Sequence, residues 1–331
     1  MMTDTTHYKL GQVGFGTIGS IYSDHLIKAN GQLILYDIDR ERLQRLAPEG
    51  TELADAPRQV AEASEVIILS LPSPDAVKSV VFGEDGILKG GQPGSLIIDI
   101  STIDPLTSQQ VEKAARKNGI SYLEAPVSGG EPMSAGTDGA RKANITFMCG
   151  GEEEAFERAR PILEILGSHW FLLGPAGAGS TVKLISNLMS GLNNLVAAEG
   201  FVLGAAAGIP WQKLMEVFRH TDAKSFHMTD YLEPRLIRKD FEAGFSTDLM
   251  YKDHRLAGDL ALQLKVPLPL NSIAVQVYQM LRASGRGKTD FTEALNLIGE
   301  WAQVDVFNPR PTFFLNGDDS ETGGESSNKQ D

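Results

Sequence analysis

The chain has 331 residues, of which 42% are hydrophobic and 22% charged, so it is long enough for two folded domains and has the composition of a globular protein. Its 30 basic and 43 acidic residues give a formal net charge of −13, which argues against nucleic acid or an anionic membrane surface as a partner. The single cysteine, Cys149, excludes an internal disulfide, and the six histidines show no metal-ligand spacing, so no metal site is predicted.

The N-terminal residues lack the basic and then apolar order that is typical of a signal peptide. No apolar run reaches about 18 residues without a charge, which is the length needed to span a membrane. We therefore expect a cytoplasmic protein with no membrane partner.

Residues 8–19 are typical of a β-strand that runs into a glycine-rich turn, followed by a helix over residues 18–29. The turn matches G-x-G-x-x-G, in which the first glycine allows a tight turn, the second lets backbone amides approach a pyrophosphate, and the third lets helix and strand pack closely. The helix N-terminus would add free N–H groups and the positive end of its dipole. A plain turn is the alternative, but the flanking strand and helix favour a dinucleotide site. The cofactor-binding residues predicted here are Gly14, Phe15, Gly16, Thr17, Ile18 and Gly19.

A second predicted strand, residues 32–36, ends at Asp37, about 20 residues past the glycines, and an amphipathic helix over residues 40–46 follows. An acidic residue at this place accepts hydrogen bonds from the adenosine ribose hydroxyls and repels a 2′-phosphate, which favours NAD over NADP. Two alternatives remain: Asp37 is a turn residue, or Arg40 and Arg42 receive a phosphate. NAD is the predicted cofactor and NADP the less favoured one.

Two apolar runs, residues 66–71 and 95–100, are typical of strands buried on both faces of a parallel sheet. The first ends at Pro72 and the second at Ser101 and Thr102, and ligands of open α/β folds bind at such C-terminal strand ends. The two hydroxyls therefore either cap a helix or hydrogen-bond a nicotinamide amide or a substrate.

A helix over residues 106–118 leads to the next predicted strand, residues 121–125, which is followed by Ser128, Gly129 and Gly130. This segment is either a flexible loop or a concavity in which a hydroxyl and successive backbone amides hold an anion. A carboxylate would suit such a concavity.

Residues 145–149 are predicted as a further strand, residues 150–151 as a turn and residues 152–166 as an amphipathic helix. Strand patterns then largely disappear, and a long helix is predicted over residues 180–207. We place the domain boundary near Gly174.

The predicted fold is α/β, with a Rossmann-type doubly wound parallel sheet followed by an all-α domain. From Asn316 to the end there is no aromatic or aliphatic residue, so this segment cannot bury enough surface to offset its ordering entropy. The predicted divisions are residues 1–173 for the cofactor domain, 174–310 for the helical domain and 311–331 for a disordered acidic tail.

Lys183 and Asn187 interrupt the mostly apolar helix and, being four residues apart, share one of its faces. Lys183 either extends to solvent near the helix start or lies in a partly desolvated cleft. In a cleft, burial and a positive nicotinamide ring would lower its pKa and make it a usable general base near neutral pH. Gly177 and Gly179 before it let the chain pass close to a ligand.

The combined pattern resembles the β-hydroxyacid dehydrogenase family, which includes 3-hydroxyisobutyrate dehydrogenases, tartronate semialdehyde reductases and 6-phosphogluconate dehydrogenases. The resemblance extends over about residues 9–305. Four blocks occur in the family's order, namely residues 14–19, 99–130, 177–187 and 252–257.

The resemblance implies that Lys183 is the catalytic acid/base and that Asn187 is its partner in orienting the substrate. It also implies that the helical domain forms the oligomer interface of a homodimer or homotetramer. The residues it assigns to the substrate are Ser128, Gly129 and Gly130 at the carboxylate, with Thr102 between substrate and nicotinamide. Those it assigns to the cofactor are Leu71 and Pro72, which would flank the nicotinamide, and Lys252, which would reach it from the helical domain.

The function expected from these residues is an NAD-dependent oxidoreductase that transfers a hydride reversibly between nicotinamide and the CH–OH group of a small β-hydroxy carboxylic acid. Acids of the 3-hydroxyisobutyrate or glycerate/tartronate semialdehyde class are expected. One alternative is a catalytically silent cofactor-binding regulatory module. The other is a reductase of a related semialdehyde or imine that uses NADPH.

Two features depart from the family pattern. Glu124 stands where the family usually has aspartate, and the loop between Gly130 and Ile145 is longer than in typical hydroxyisobutyrate dehydrogenases. We expect this loop to influence substrate choice, with Arg141 and Lys142 either pairing with a second anionic group or remaining solvated.

Overall fold

A computed structural model describes residues 8–129 and 136–311 of the chain. Gly130 and Glu131, and residues 312–331 of the predicted tail, lie outside the described residues. The described chain begins with an α/β part and continues with a helical part. The prediction of a Rossmann-type domain followed by an all-α domain is therefore confirmed.

The described strands, in chain order, are β1 Leu10–Val13, β2 Leu33–Tyr36, β3 Thr51–Leu53, β4 Val66–Leu69, β5 Leu96–Asp99, β6 Ser121–Glu124, β7 Val127–Gly129, β8 Ile145–Gly151 and β9 His169–Leu172. The first six lie side by side in the order β3-β2-β1-β4-β5-β6, and every neighbouring pair among them is parallel. The winding direction reverses between β1 and β4, and ligands of such sheets bind at this switch point beyond the C-terminal strand ends.

Helices cover both faces of the sheet. They are α1 Thr17–Asn30, α2 Arg40–Leu46, α3 Pro57–Ala63, α4 Pro74–Phe82, α5 Ile87–Gly90, α6 Pro105–Lys117, α7 Gly136–Arg141 and α8 Glu153–Leu166. Side chains alternate along each strand, so β4 contributes Ile68 to the apolar cluster under α1 and α8, and Ile67 and Leu69 to the cluster under α3, α4 and α6. Each face of the sheet thus has its own core.

The end of the sheet beyond β6 differs from the sequence-based expectation. Residues 150–151, predicted as a turn, continue β8, which runs antiparallel to both β6 and β7. Ser128 and Gly129, left open as a loop, pair with β8 as part of β7, and β9 runs parallel to β8 on the other side. Neither segment carries an alternating apolar pattern. Residues 128–129 are a strand because they pair with β8, and residues 150–151 extend β8 because they pair with β6.

The helical part is built around one long helix. Its α-helices are α9 Ala178–Ala206, α10 Trp211–Phe218, α11 Glu233–Arg238, α12 Thr247–Leu264, α13 Pro269–Leu281 and α14 Ala294–Ala302. Helices α10, α12, α13 and α14 all pack on α9, and α9 also packs on β8 and α6 of the first part. One helix therefore connects the core of the helical part to the sheet.

Several helices begin directly at the C-terminal ends of the strands, for reasons that are visible in the sequence. Ser73 caps α4 and Asp104 caps α6 by accepting a hydrogen bond from a first-turn N–H, and a proline begins each helix. By contrast, α1 and α9 follow Gly16 and Gly177, which have no side chain to cap them. The first-turn amides of these two helices therefore need other partners.

Candidate active site

The turn between β1 and α1 has the backbone conformation that the glycine pattern predicts. Gly14 has a φ of +100°, and a Cβ there would lie 2.2 Å from the carbonyl oxygen of Ser70. A Cβ on Gly19 would lie 2.3 Å from the Gly14 carbonyl oxygen, so the third glycine lets α1 pack on the turn. A Cβ on Gly16 would meet no described atom within 4 Å, and Gly16 and Thr17 are exposed. The space in front of this turn is open to a ligand.

Asp37 lies against the glycine turn. Its Oδ2 accepts a hydrogen bond from the N–H of Phe15 at 2.5 Å, and its Oδ1 accepts one from the N–H of Asp39 at 2.8 Å. The Phe15 side chain is buried in the core, so only its backbone can take part in a cofactor site, and Ile18 is half-buried. The carboxylate thus sits at the end of β2, where this motif binds ribose hydroxyls.

Gln12, a residue that the sequence analysis did not single out, supports the turn from inside the sheet. Its side-chain amide donates hydrogen bonds to the carbonyl oxygens of Gly14 at 2.9 Å and Gly19 at 2.8 Å, and its Oε1 accepts one from Ser23 at 3.1 Å. A glutamine in an otherwise apolar strand is the sequence feature that could have revealed this role. The structure shows that its side chain is fully buried and hydrogen-bonded.

The ends of β4 and β5 are joined by a hydroxyl. Ser101 is buried, and its Oγ accepts a hydrogen bond from the N–H of Leu71 at 2.9 Å. Thr102 is half-buried, and Pro72 is exposed at the same edge. The carbonyl oxygen of Thr102 accepts a hydrogen bond from Lys252 Nζ at 2.8 Å, so a lysine of α12 reaches the sheet.

A chain of side chains connects Lys183 to that contact. Lys183 Nζ donates to Asn187 Oδ1 at 2.9 Å, and Asn187 Nδ2 donates to Asp253 Oδ2 at 2.5 Å. The other oxygen of Asp253 lies 3.1 Å from Lys252 Nζ. Because Asp253 is an acceptor, it orients the Asn187 amide so that its oxygen faces the amine of Lys183. Asp253 had no role in the sequence analysis.

Lys183 is 6% exposed, so its side chain does not extend to solvent. Burial lowers the pKa of the Lys183 amine to about 8; the negative charge of Asp253 acts in the opposite direction, and the positive charge of Lys252 lowers the pKa further. An amine with this pKa is present in both protonation states near neutral pH, as acid–base catalysis requires.

The close approach of α9 and α12 places Asp253 beside Asn187. A Cβ on Gly191 would lie 2.0 Å from His254 Nε2, so the helices can come this near only with glycine at this position. His254 is fully buried, and its Nδ1 and the Oδ1 of Asn271 are 2.6 Å apart. Asn194, further along α9, donates to the carbonyl oxygen of Phe291 at 3.0 Å and belongs to the packing of the helical part.

The residues proposed to bind the substrate carboxylate are described in part. Ser128 is half-buried and Gly129 is exposed on β7, whereas Gly130 lies outside the described residues. The following loop contains α7, which packs on α1, and Arg141 and Lys142 at its end are exposed. Their influence on substrate choice stays a prediction.

Within residues 8–129 and 136–311, no group of three or more His, Cys, Asp or Glu side chains is arranged to hold a metal ion. In the same residues, no helix is long and apolar enough to cross a membrane.

The fold and the site define an oxidoreductase that uses a nicotinamide dinucleotide. A Rossmann sheet, a glycine turn with open space at Gly16 and a carboxylate at the end of β2 suit the dinucleotide, and a buried lysine lies among the side chains beside the strand ends. Residues 9–174 match the family model described as the NAD binding domain of 6-phosphogluconate dehydrogenase. Residues 177–298 match the one described as NAD-binding of NADP-dependent 3-hydroxyisobutyrate dehydrogenase. The chain belongs to the β-hydroxyacid dehydrogenase family.

The chain matches similar proteins over nearly the whole of their length. The chain is 31% identical over 298 residues to 2-(hydroxymethyl)glutarate dehydrogenase of Eubacterium barkeri, covering 90% of this chain and 97% of the relative. It is 35% identical over 286 residues to 3-sulfolactaldehyde reductase of Escherichia coli, covering 86% and 94%. A solved structure of Mycobacterium tuberculosis 3-hydroxyisobutyrate dehydrogenase with L-serine superimposes with a TM-score of 0.79 at 28% identity, covering 87% and 98%. The predictions of the family, of an oxidoreductase and of NAD as the cofactor are confirmed.

Proposed function

We propose that the protein is an NAD-dependent dehydrogenase of a small β-hydroxy carboxylic acid that works reversibly on the matching semialdehyde or keto acid. The observation that carries this proposal is the buried Lys183 amine, held by Asn187 and linked through Asp253 and Lys252 to Thr102 at the end of β5. The relatives described above support it, since two are named as dehydrogenases of hydroxy carboxylic acids and one as a reductase of a sulfonated aldehyde.

The chemistry divides between the cofactor and the protein. When bound, the dinucleotide supplies the hydride acceptor for oxidation and, when reduced, the hydride donor. Lys183 in its neutral form takes the proton of the substrate hydroxyl and, as an ammonium, returns it in the reverse direction. Asn187 holds the amine in place, and Asp253 holds Asn187. Ser128, Gly129 and Gly130 would bind the substrate carboxylate, with Thr102 between the substrate and the nicotinamide.

For the cofactor, Gly14, Phe15, Gly16, Thr17, Ile18 and Gly19 would hold the pyrophosphate, and Asp37 the adenosine ribose. At the nicotinamide end, Leu71 and Pro72 would flank the ring, Ser101 and Thr102 would hydrogen-bond its amide, and Lys252 would reach the cofactor from α12. The exposed faces of the turn and of Pro72 support these assignments.

The substrate class is tested with a panel of C3–C6 hydroxy acids, assayed with NAD and with NADP. The panel includes 3-hydroxyisobutyrate and glycerate, and also a hydroxy acid with a second carboxylate and a sulfonated one, because the relatives' names include a glutarate and a sulfolactaldehyde. Oxidation of one or more β-hydroxy acids is the expected result. Tight NADH binding with no turnover of any acid would instead support the regulatory module, and turnover of imines alone would support an imine reductase.

NAD is expected to exceed NADP by more than about tenfold in kcat/KM, on the order of 1.4 kcal/mol or more, because the Asp37 carboxylate repels a 2′-phosphate. Arg40, one of the two candidates for binding a phosphate, is paired with Asp55. The variant Asp37→Asn keeps an acceptor for the Phe15 N–H but removes the negative charge. It should therefore reduce the ratio of kcat/KM with NAD to kcat/KM with NADP. Equal kcat/KM with both cofactors in the unchanged protein would contradict the prediction.

The pH dependence should report on Lys183. Oxidation needs the neutral amine, so kcat/KM for the hydroxy acid should rise with pH and level off above a pKa at or below about 8, because bound oxidised nicotinamide lowers it further. Reduction needs the ammonium, so its kcat/KM should fall as pH rises through the same region. Profiles with the same slope in both directions would argue against Lys183 as the acid/base.

A homodimer or homotetramer formed through the helical part is also proposed. Val182, Met189, Val196 and Leu203 follow one another at seven-residue intervals on α9 and are 37%, 57%, 70% and 72% exposed, which makes an apolar stripe that a second chain could cover. Light scattering on the full chain tests this assembly.

The division into domains at residues 1–173 and 174–310 is proposed as well, since the last strand ends at Leu172 and α9 begins at Ala178. A cytoplasmic location stays a proposal, consistent with the buried free thiol of Cys149.

A further inference from the structure

Glu124, the last residue of β6, has a buried carboxylate that is aimed at the beginning of α9. Its Oε1 accepts hydrogen bonds from the N–H groups of Gly177 and Gly179, both at 2.7 Å, and its Oε2 accepts one from the Ser180 hydroxyl at 2.5 Å. Glu124 is 1% exposed. A Cβ on Gly150 would lie 2.2 Å from Glu124 Oε1, so the neighbouring strand leaves just enough room for this side chain.

These hydrogen bonds occupy amides that the helix itself leaves without partners. Gly177, at the N-cap of α9, has a φ of +100° and no side chain with which to cap it. A carboxylate at this end also interacts favourably with the positive end of the helix dipole. Glu124 therefore caps α9 from a strand more than fifty residues earlier in the chain.

The segment held in this way lies one helical turn before the proposed acid/base. Gly179, Lys183 and Asn187 follow at four-residue intervals, so they share one face of α9. A Cβ on Gly179 would lie 2.1 Å from the carbonyl oxygen of Met148, so this turn also touches β8 directly. A shift of the first turn would move the Cα of Lys183 away from the strand ends.

A second buried carboxyl, that of Asp99, holds the segment that follows β5. Asp99 lies beside Glu124 in the register of β5 and β6, and its Oδ1 accepts a hydrogen bond from the N–H of Ser101 at 3.0 Å. Burial raises the pKa of Asp99 to about 6 and also raises the pKa of Glu124, whose hydrogen-bond donors oppose the effect. The two carboxyls thus hold Ser101, which precedes Thr102, and residues 177–180, which precede Lys183.

We propose that Glu124 is a positioning residue for catalysis, which holds the first turn of α9 against the sheet so that Lys183 is aligned with the substrate. This inference rests on the proposed function of Lys183. Glu124 is not among the residues assigned to the substrate or the cofactor, and it acts through the backbone of Gly177 and Gly179.

A double-mutant cycle between Glu124 and Lys183 tests the proposal. Glu124→Ala removes the acceptor of two backbone N–H groups and should lower kcat by about 10–100-fold, because a small misplacement of a catalytic group is costly. In the Lys183→Ala background, the same change should alter the remaining kcat by less than about twofold. The Kd of NADH, which the turn after β1 would bind, should be unchanged. Equal losses in both backgrounds would overturn the proposal.

Two further variants separate positioning from general loss of stability. Glu124→Gln can keep the hydrogen bonds to both N–H groups and should retain most of the kcat, even where its melting temperature falls. Asn30→Ala removes side-chain bonds to the backbone at the far end of α1 and serves as the matched control, with kcat unchanged. If Glu124→Ala does not fold, Ser180→Ala, which removes the bond to Oε2, takes its place in the cycle with the same two expected outcomes. Should Lys183→Ala alone retain full kcat, the proposed function fails, and this failure is visible without any Glu124 variant.

Discussion

Replacing Lys183 with alanine is expected to lower kcat by roughly 10²–10⁴-fold in both directions, because general acid–base assistance of this size is lost with the amine. The fall should appear in kcat rather than in cofactor affinity, since the glycine turn and Asp37 lie on other elements. Steady-state kinetics with the best acid of the panel, together with NADH titration by fluorescence, measure the two quantities.

A matched control distinguishes loss of this particular amine from loss of any lysine. Lys213 is exposed on α10 and pairs with Glu216, so Lys213→Ala should leave kcat unchanged. If Lys183→Ala also kept its turnover, the buried amine would have to serve the structure rather than the reaction. The regulatory-module alternative would then gain support.

Alanine at Gly14 should raise the Kd of NADH by about 100-fold or more, equivalent to roughly 2.8 kcal/mol, and should also lower the melting temperature. The substitution forces a side chain into a positive φ and against the carbonyl oxygen of Ser70. Gly16→Ala offers a cleaner comparison, because Gly16 has a φ of −68° and open space at its Cβ. We expect a melting temperature like that of the unchanged protein, and a loss of NADH affinity of about tenfold or more.

The pair of glycine variants therefore separates the shape of the turn from its contact with the cofactor. Lys28→Ala, an exposed position in the last turn of α1, is the control and should change neither Kd nor kcat. Unaltered NADH affinity in Gly16→Ala would mean that the pyrophosphate does not lie against this turn. Calorimetry and thermal unfolding without ligand provide the measurements.

The cofactor half of the site could be read from local patterns because its parts are close in sequence. A strand, the turn after it and the first residues of α1 lie within residues 10–19, and the positive φ that favours glycine at position 14 belongs to this short segment. The positions of Asp37 and Ser101 could be predicted from the strand pattern, because parallel strands bring their C-terminal ends to one edge of the sheet.

The supporting residues could not be found in this way. Gln12, Glu124 and Asp253 are polar side chains whose partners lie elsewhere in the chain or become partners only after the backbone has folded. Each has a feature that stands out in the sequence, a polar residue in an apolar strand or an acid beside a lysine. The feature signals burial but does not identify the partner.

The order of amino acids alone determined the α/β architecture, the glycine turn, the carboxylate after β2 and the presence of a lysine on an apolar helix. Each of these features follows from a motif or a periodic pattern along the chain. The environment of Lys183 depends on long-range packing. Gly191 lets α12 approach α9 closely enough for Asp253 to meet Asn187, and Glu124 anchors the helix to the sheet. The helix pattern left two states open, a solvated amine and a buried one. The Asn187 side chain, to which the amine donates a hydrogen bond, is itself bonded to Asp253, 66 residues further along the chain, and burial in this packing lowers the pKa of the amine to about 8.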